Sequence, residues 1–465
     1  MGGPGGGPSV DNGRMSRSAI VWFRRDLRLF DLPTLLSAAD DADSAVALFV
    51  LDDALLGPSG GPRQRFLFEC LRALDEDLGG RLLVVHGDPV EAVPAAVAEF
   101  GGASVHVSAD HGPYGARRDE AVAGALGAVP LIRAGSPYAV SPGRVVKSDG
   151  TPYRVFTPFR RAWLDHGWRA PADTGAGTVE WIDPARSPLR VPIPSADDPT
   201  GPPLPPAGES AALRRWQEFR DDDLARYADD RDRPDLDVTS RLSPYLKFGC
   251  IHPRTVLRDL AGRSDDAAAT LRSELAWRDF YADVLHHRPD TARGNYNHRF
   301  DAIEHDTGAD ADRAFEAWAQ GRTGFPIVDA GMRQLLAEGW MHNRVRMIVA
   351  SFLTKDLHVP WWRGARHFMQ CLVDGDLASN QHGWQWTAGC GTDAAPYFRV
   401  FNPTAQGEKF DPTGEYVRRW VPELRGVAGK RVHSLPDGPP PGYPAPIVDH
   451  AHERRVALDR YKRIG

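Results

Sequence analysis

The run AIVWF at residues 19–23 is the first of five apolar runs that decide the fold of the N-terminal part of the chain. The other four are AVALFVLD (45–52), RLLVVHGD (81–88), ASVHVSAD (103–110) and AVPLIRAG (128–135). Helical stretches such as RFLFECLRALDEDL (65–78) lie between them. Buried strands that alternate with helices predict a doubly wound parallel sheet, and the carboxyl ends of such strands usually border a ligand crevice.

The composition changes before the second half of the chain. Residues 183–210 are rich in proline, which cannot sustain a regular hydrogen-bonded ladder. We predict a disordered tail at 1–17, an α/β domain at 18–145, a proline-rich linker at 146–210 and a helical domain at 211–465. The fold class is therefore an N-terminal doubly wound, Rossmann-like α/β domain followed by an all-α domain.

The totals limit the classes of function. A net charge of −6 over 465 residues argues against diffuse nucleic-acid binding but permits a local basic patch. Four cysteines without a CxxC pair indicate a reducing compartment, and no metal site is predicted. Because the sequence has neither the apolar centre of a signal peptide nor an apolar run of membrane-spanning length, we predict a cytoplasmic protein without membrane association. Thirteen tryptophans exceed the needs of core packing and suggest stacking or electron transfer.

Two predicted helices each carry a polar face in addition to their apolar residues. In residues 271–285 this face repeats at i, i+3, i+4 and i+7 and consists of Glu274, Trp277, Arg278 and Tyr281. In residues 341–353 it lies opposite a core stripe of Met341, Val345, Ile348, Val349 and Phe352, and consists of Asn343, Arg346, Met347 and Ala350. Either face alone could simply be solvated, whereas the two together favour helices that border a cavity.

The stretch DGDLASNQHGWQW, residues 374–386, combines two carboxylates, an amide and two indoles. This mixture is too polar for a packed core and too aromatic for an ordinary solvated loop. It therefore indicates a ligand site.

Six blocks together resemble the DNA photolyase and cryptochrome family. They are VWFRRDLRLFDLPTL, TSRLSPYLKFG, ELAWRDFY, GFPIVDAGMRQLLAEGWMHNRVRM, DGDLASNQHGWQW and TDAAPYFRVFNPTAQGEKFD. They occur in the family's order from about residue 19 to residue 423. The resemblance implies an N-terminal antenna domain and a C-terminal helical domain that holds FAD in a U-shaped conformation.

The resemblance also implies a set of FAD ligands. They are Tyr227, Thr239, Ser240, Leu242, Ser243, Arg346, Asp374, Asp376 and Asn380. The hydroxyls and the turn of TSRLS, residues 239–243, suit phosphate oxygens, although the same motif could serve only as a helix cap.

Three positions distinguish the branches of the family. Asn380 corresponds to the residue that faces flavin N5, where an amide favours a repair enzyme. Asn343 occupies the place of a catalytic histidine in enzymes that act on (6-4) photoproducts, and an amide cannot act as a general acid. Met347 also matches the cyclobutane pyrimidine dimer branch, so the chain most resembles the class I enzymes.

The implied activity is that of a deoxyribodipyrimidine photo-lyase, which repairs pyrimidine dimers by electron transfer from photoexcited reduced FAD. A flipped-out dimer would contact Trp277 and Trp386, hydrogen-bond to Glu274 and Asn343, and pack on Met347. The implied partner is UV-damaged DNA, single- or double-stranded, bound by a monomer. The alternatives are a cryptochrome-type blue-light photoreceptor without repair activity and a light-independent flavoprotein. The residues that resemble the family's DNA contacts are Arg231, Arg278, Arg344 and Arg399, with Lys409 as a weaker addition.

Two features depart from the family pattern. Trp384 and Trp361 match the inner and middle members of its three-tryptophan reduction chain, but no tryptophan precedes Trp318 where the outer member is expected. The pathway is either shortened or ends at Trp318, Trp362 or a tyrosine.

The antenna site also differs. The Asn-Glu pair of folate-binding members is missing before Arg118. The PYG segment (113–115) and Lys247 resemble members that bind 8-hydroxy-5-deazaflavin rather than methenyltetrahydrofolate, with Asp110 and Lys247 as candidate contacts. The alternative is a surface lysine beside an empty site.

Overall fold

The computed structural model describes residues 17–195, 201–396 and 399–464. Nearly all of the predicted N-terminal tail lies outside the described residues. Five parallel strands form one sheet in the order β3-β2-β1-β4-β5, as predicted for a doubly wound domain. The strands are β1 (Ser18–Phe23), β2 (Ser44–Leu51), β3 (Leu82–His86), β4 (Gly102–Val107) and β5 (Leu131–Arg133).

Helices cover both faces of this sheet, and alternate residues of β1 therefore enter different cores. Ile20 and Trp22 pack with the helices at Pro89–Phe100 and Pro113–Ala125, whereas Val21 and Phe23 face a larger core that continues into the helical domain. The helices of the α/β domain are α1 (Pro33–Asp41), α2 (Asp53–Leu56), α3 (Gly61–Asp77), α4 (Pro89–Phe100) and α5 (Pro113–Ala125).

The rest of the chain is helical, as predicted. Its α-helices are α6 (Phe156–His166), α7 (Glu209–Glu218), α8 (Tyr227–Asp230), α9 (Ser243–Phe248), α10 (Pro253–Asp259), α11 (Asp266–His287), α12 (Ala309–Ala319), α13 (Pro326–Glu338), α14 (Asn343–Lys355), α15 (Trp361–Cys371), α16 (Leu377–Ala388), α17 (Pro403–Phe410), α18 (Glu415–Trp420) and α19 (His450–Ile464). Single turns of 3-10 or π helix lie at Ala176–Thr178, Phe219–Asp223, Leu224–Arg226, Pro289–Ala292, His298–Ala302, Pro422–Leu424 and Gly429–His433.

The prediction of a surface linker over residues 146–210 missed α6. This helix packs on α11 through Phe156, Phe159 and Trp163, all of which are buried. The proline-rich residues 183–195 and 201–208 do lack regular helices and strands. The linker prediction failed because it extended a composition shift at residue 183 upstream into an amphipathic segment.

The segment after β1 fixes the α/β domain against the helical domain. Leu27 N–H donates to the Phe248 carbonyl at 3.1 Å, and the Arg28 guanidinium donates to the Gly249 carbonyl at 3.0 Å. Gly249 has a φ of +71°, and a Cβ there would lie 2.1 Å from the Arg25 carbonyl oxygen. Only glycine fits where the two domains approach so closely.

A buried ion pair at the same interface supplies the first testable prediction. Asp31 is fully buried and accepts from Arg254 of α10 at 2.5 Å. We expect Asp31→Asn to lower the free energy of unfolding by about 3 kcal/mol, because it leaves a buried guanidinium without a counter-charge. Asparagine tolerates the positive φ of +52° at this position, so the substitution tests charge rather than backbone strain.

Chemical denaturation of both variants measures the effect against a control. Asp53 forms an exposed pair with His86 at 2.9 Å, and Asp53→Asn should cost less than about 1 kcal/mol. Equal losses in the two variants would contradict a special role for the interface pair.

Candidate functional site

The helices α11, α14 and α16 carry many of the predicted site residues, and α16 packs against both α11 and α14. The core stripe predicted for α14 is buried, including Met341, Val345 and Ile348. On its other side Asn343 is exposed and Met347 is half-buried. Helix α14 therefore presents one apolar and one partly open face, as its sequence predicts, except that Ala350 belongs to the buried part.

The charged pair Arg346–Asp374 joins α14 to the turn before α16. The guanidinium contacts both carboxylate oxygens, at 3.3 and 2.8 Å, and also donates to the Met341 carbonyl at 2.8 Å. Asp374 is buried while Arg346 remains partly open. The pair can hold hydrogen-bonding edges of a planar ligand while it stays neutral overall.

Asp376, which is predicted as a flavin ligand, also has hydrogen-bond partners within the protein. One oxygen accepts from Ser379 N–H at 3.1 Å, which caps the start of α16, and the other pairs with Arg25 of the α/β domain at 2.6 Å. Burial alone would raise the pKa of this carboxyl, but the charges of Arg25, Lys247 and Arg278 hold the pKa far below its usual range. Asp376 is thus a fixed anion between the two domains.

Asn380 follows one turn later on α16. Its side-chain nitrogen donates to the Ala365 carbonyl at 3.0 Å and to Gln381 Oε1 at 2.9 Å. These two bonds fix the amide so that its oxygen remains available as an acceptor. An acceptor suits a protonated ring nitrogen of a reduced flavin.

The two indoles of α16 lie on nearly opposite sides of the helix, because they are two residues apart. Trp384 is buried, with Phe368 at 5.0 Å and Trp318 at 6.0 Å between ring centroids. Trp386 is half-buried. The different surroundings agree with the prediction that the two indoles have different roles.

The loop at residues 237–242 is suited to anionic oxygens. Arg215 of α7 donates to the carbonyls of Ser240 and Thr239, at 3.0 and 3.3 Å, so both acceptors are already bound by a cation. The Thr239 hydroxyl is buried and has no hydrogen-bond partner among the described residues. An unpartnered hydroxyl beside carbonyls that are already hydrogen-bonded fits a phosphate-binding loop rather than a simple helix cap.

A second arginine holds the same loop. Arg241 has a φ of +49°, pairs with Asp237 at 2.7 Å and with Glu338 of α13 at 3.3 Å, and stacks on Trp340 at 4.0 Å. Sequence reasoning missed Arg215 and Arg241, because neither belongs to a periodic face. The nearest available signal was the position of Arg241 inside TSRLS.

Residues predicted to receive the lesion have partners of their own. Trp277 stacks on Phe156 with 3.6 Å between centroids and 9° between planes, so one face of its ring is covered by the segment predicted as linker. Glu274 pairs with Arg231 at 2.6 Å. Contacts within the protein therefore hold the side chains of Trp277 and Glu274 in place without a substrate.

Most of the side chains that are predicted to contact DNA lie near the surface, whereas Arg278 lies at the domain interface. Arg344 pairs with Asp232 at 2.7 Å and lies 4.4 Å from the ring of Phe410, beside which Lys409 also lies. Arg399 is exposed. These side chains, together with Arg231, are at or near the surface.

Arg278 has partners inside the protein. Its guanidinium donates to the carbonyls of Pro137 and Leu246, at 2.9 and 3.0 Å, and stacks on Tyr138 at 4.5 Å. The side chain is therefore held at the domain interface, and its role as a DNA contact stays a prediction. The helical spacing placed it on the correct face but could not show which partners that face meets.

A cavity of about 1160 Å³ lies between the carboxyl ends of the strands and the helical domain. Asp110, Tyr114 and Arg118 line it from one side, and Lys247 and Asp376 from the other. Asp110 and Lys247, the two predicted antenna contacts, thus border one cavity. Burial and the neighbouring charge of Arg25 lower the pKa of Lys247 to about 7.

Gly115 shapes this cavity. A Cβ at this position would lie 2.1 Å from an Asp110 carboxylate oxygen, so only glycine lets the acid approach the first turn of α5. Burial would raise the pKa of Asp110, but Arg25, Arg118 and Arg24 hold the pKa below its usual value. The cavity therefore combines a fixed anion with a titratable cation.

Comparison with known proteins agrees with this geometry. Residues 19–176 match the DNA photolyase domain, and residues 270–463 match the FAD binding domain of DNA photolyase. The chain belongs to the DNA photolyase family. It is 42% identical over 462 residues to a deoxyribodipyrimidine photo-lyase of Streptomyces griseus, covering 96% of this chain and 99% of the relative. A protein of the same name from Halobacterium salinarum is 40% identical over 96% of this chain and 98% of its own.

Solved structures of this family share the fold. A class III photolyase from Agrobacterium tumefaciens has a TM-score of 0.88 at 37% identity, covering 98% of this chain and 99% of its own. A Synechocystis cryptochrome has a TM-score of 0.86 at 27% identity, covering 95% and 99%. The predicted resemblance and fold class are confirmed, and the match to the FAD binding domain supports FAD as cofactor. No helix in the described parts of the chain is long and apolar enough to cross a membrane.

The phosphate loop gives the second prediction. We expect Arg215→Ala to weaken FAD binding by about tenfold or more, because two carbonyls lose their charged donor and the loop loses its fixed shape. Titration of the apoprotein with FAD, followed by flavin fluorescence, measures the affinity. Arg214 is the exposed neighbour on α7, and Arg214→Ala should leave the affinity unchanged. Equal affinities for the two variants would contradict the assignment.

Proposed function

We propose that the protein is a deoxyribodipyrimidine photo-lyase that repairs cyclobutane pyrimidine dimers in DNA in a light-dependent reaction. The observation that supports this most is the arrangement on α16, where a fixed amide, a buried indole and a half-open indole lie within seven residues. Full-length relatives at about 40% identity carry that enzyme's name.

FAD is the cofactor that this site would hold. When bound and reduced, it would supply one electron to the dimer after absorbing light, and the electron would return once the cyclobutane bonds had broken. Arg346 and Asp374 would orient the flavin ring, Asn380 would accept from its N5, and Thr239, Ser240 and Ser243 would bind its phosphates. Tyr227 and Leu242, both buried, would complete the pocket wall.

The lesion would approach from the partly open faces of α11, α14 and α16. A damaged pair leaves the duplex at a cost of only a few kcal/mol, because it is poorly stacked. Trp386 would offer an indole face to the everted bases, and Trp277, with Phe156 behind it, would offer a second. Asn343 and Glu274 would hydrogen-bond to the pyrimidine edges, and Met347 would pack beside them.

The phosphates would be held by Arg231, Arg344 and Arg399, with Lys409 in support. Two of these arginines are paired with acids here, Arg231 with Glu274 and Arg344 with Asp232. In each pair the carboxylate offsets the charge of the guanidinium until a phosphate competes for the cation. If Arg231 turns to DNA, the carboxylate of Glu274 becomes available for the lesion.

The second candidate function is that of a photoreceptor without repair activity. The similarity to a cryptochrome structure is the observation in its favour. Asn343 and Met347 favour repair, because they provide a neutral, partly open surface at the place where a dimer would lie. The more detailed assignment to class I stays a prediction, as do the monomeric state and the cytoplasmic location.

A repair assay provides the third prediction. Chemically reduced protein under blue light should convert dimer-containing oligonucleotide to intact pyrimidines, and no loss of dimers would reject the proposal.

Trp386→Ala should keep FAD but bind the lesion about ten- to a hundredfold more weakly, because one stacking surface is lost. Trp168 is half-buried and distant in sequence, so Trp168→Ala serves as the control. Loss of FAD from the Trp386 variant would contradict its role.

We further propose that the cavity between the domains binds an antenna chromophore, with Asp110 and Lys247 as contacts and 8-hydroxy-5-deazaflavin as the favoured identity. The size and the cluster of cations, including Arg24, Arg25 and Arg118, suit an anionic aromatic molecule. An archaeal photolyase from Sulfolobus tokodaii, 31% identical with a TM-score of 0.82, contains two FAD molecules. The cavity could therefore accept a flavin-sized ring as well.

The fourth prediction concerns pH. The pKa of Lys247 is lowered to about 7, so its ammonium is lost as the pH rises above that value. We expect the affinity for an anionic deazaflavin to fall by up to about tenfold per pH unit above pH 7. Equilibrium dialysis of the protein against 8-hydroxy-5-deazaflavin measures it. Lys247→Met should bind weakly at every pH, and Lys430→Met, at an exposed lysine, should behave as the unmodified protein. A pH-independent affinity would contradict the assignment.

A further inference from the structure

The buried indole Trp384 has two possible partners toward the protein surface. One is Trp318, which contacts it edge to face at 6.0 Å. Trp318 is fully buried, and its indole nitrogen donates to the Val349 carbonyl at 3.0 Å. Its other ring contacts among the described residues are Phe315, His367 and Phe368, none of which is easily oxidised. If Trp318 were oxidised by Trp384, none of these neighbouring rings could readily return an electron to it.

The other route runs along α15. A Cβ on Gly364 would lie 2.2 Å from the Trp384 ring, so α15 touches this indole directly at Gly364. Trp361 lies one turn earlier on α15 and is 2% exposed, with its nitrogen donating to Asn295 at 2.8 Å. The ring of Trp362 is 6.0 Å from that of Trp361 and is 38% exposed. Trp384 and Trp361 are thus both buried, and this route reaches the solvent at Trp362.

The surroundings of Trp362 fit a terminal electron donor. His305 packs edge to face against it at 5.4 Å. Burial lowers the pKa of His305, so the imidazole is neutral and does not oppose positive charge on the indole. Trp362 also lines the cavity between the domains, beside Arg366 and Asp301. A small reductant can therefore reach it.

We propose that Trp362 is the terminal electron donor when the oxidised flavin of this protein is photoreduced. The inference rests on the proposed function, in that the helical domain must hold a photoactive flavin. One electron passes from Trp384 to the flavin, one from Trp361 to Trp384 and one from Trp362 to Trp361. The oxidised Trp362 is then reduced by an external thiol, which loses one electron and one proton and couples with a second thiyl radical to form a disulfide.

Anaerobic photoreduction of the FAD-loaded full chain tests the proposal. With blue light and dithiothreitol, the unmodified protein should lose its oxidised flavin absorption, whereas Trp362→Phe should lose photoreduction. Trp318→Phe should photoreduce as the unmodified protein does. Photoreduction that persists in Trp362→Phe, or that is lost only in Trp318→Phe, would overturn the inference. An unmodified protein that holds FAD and does not photoreduce would also overturn it.

A second pair of measurements separates this inference from the proposed repair activity. Trp362→Phe that is reduced with dithionite should still repair dimers, and failure of the reduced unmodified protein to repair would contradict the proposed function alone. The double variant His305→Trp with Trp362→Phe should recover photoreduction, because it places an indole beside the same end of the chain. In the unmodified protein, illumination in air without thiol should add oxygen to the peptide that contains Trp362. Oxygen addition at Trp318 instead would overturn the inference.

Discussion

A mostly buried carboxylate, Asp376, joins the two domains at the residue before α16. Its contacts with Arg25 on one side and the Ser379 amide on the other bind the α/β domain to the start of this helix. Because Asp376 caps α16 and more than half of the helix is buried, the position of its first turn determines where Asn380, Trp384 and Trp386 lie. The flavin site and the cavity between the domains therefore share one electrostatic anchor.

The energetic role of this anchor is orientation more than stability. A buried ion pair recovers little more than the cost of removing two charges from water. However, Arg25, Lys247 and Arg278 together keep the pKa of Asp376 far below its usual range, so the acid stays ionised, and Arg25 of the other domain is the cation that contacts it directly. A docking angle that separated Arg25 from Asp376 would break their direct hydrogen bond, and this penalty favours a single arrangement.

The sequence predicted the features that depend on local periodicity. The five strands were evident because buried parallel strands are continuous apolar runs, and the two faces of α14 followed from its helical spacing. Long-range partners could not be predicted in this way. Arg278 has the spacing of a site residue but donates to interior carbonyls, and Arg215 acts on a loop some 25 residues away without any sequence pattern. The position of α6 was missed because its partner, Trp277, lies more than one hundred residues later.

The two sides of α16 explain how one helix could serve both reduction and repair. On the Trp384 side, aromatic rings and aliphatic residues pack tightly, with Phe368 and Trp318 in contact and no space for water at Gly364. Such a dry, close-packed side is suitable for electron transfer and closed to DNA. On the Trp386 side, the indole is half-buried, so part of its ring remains accessible for stacking. A substitution that opened the dry side would therefore affect reduction of the flavin before it affected recognition of the lesion, because the two processes use opposite faces of the same helix.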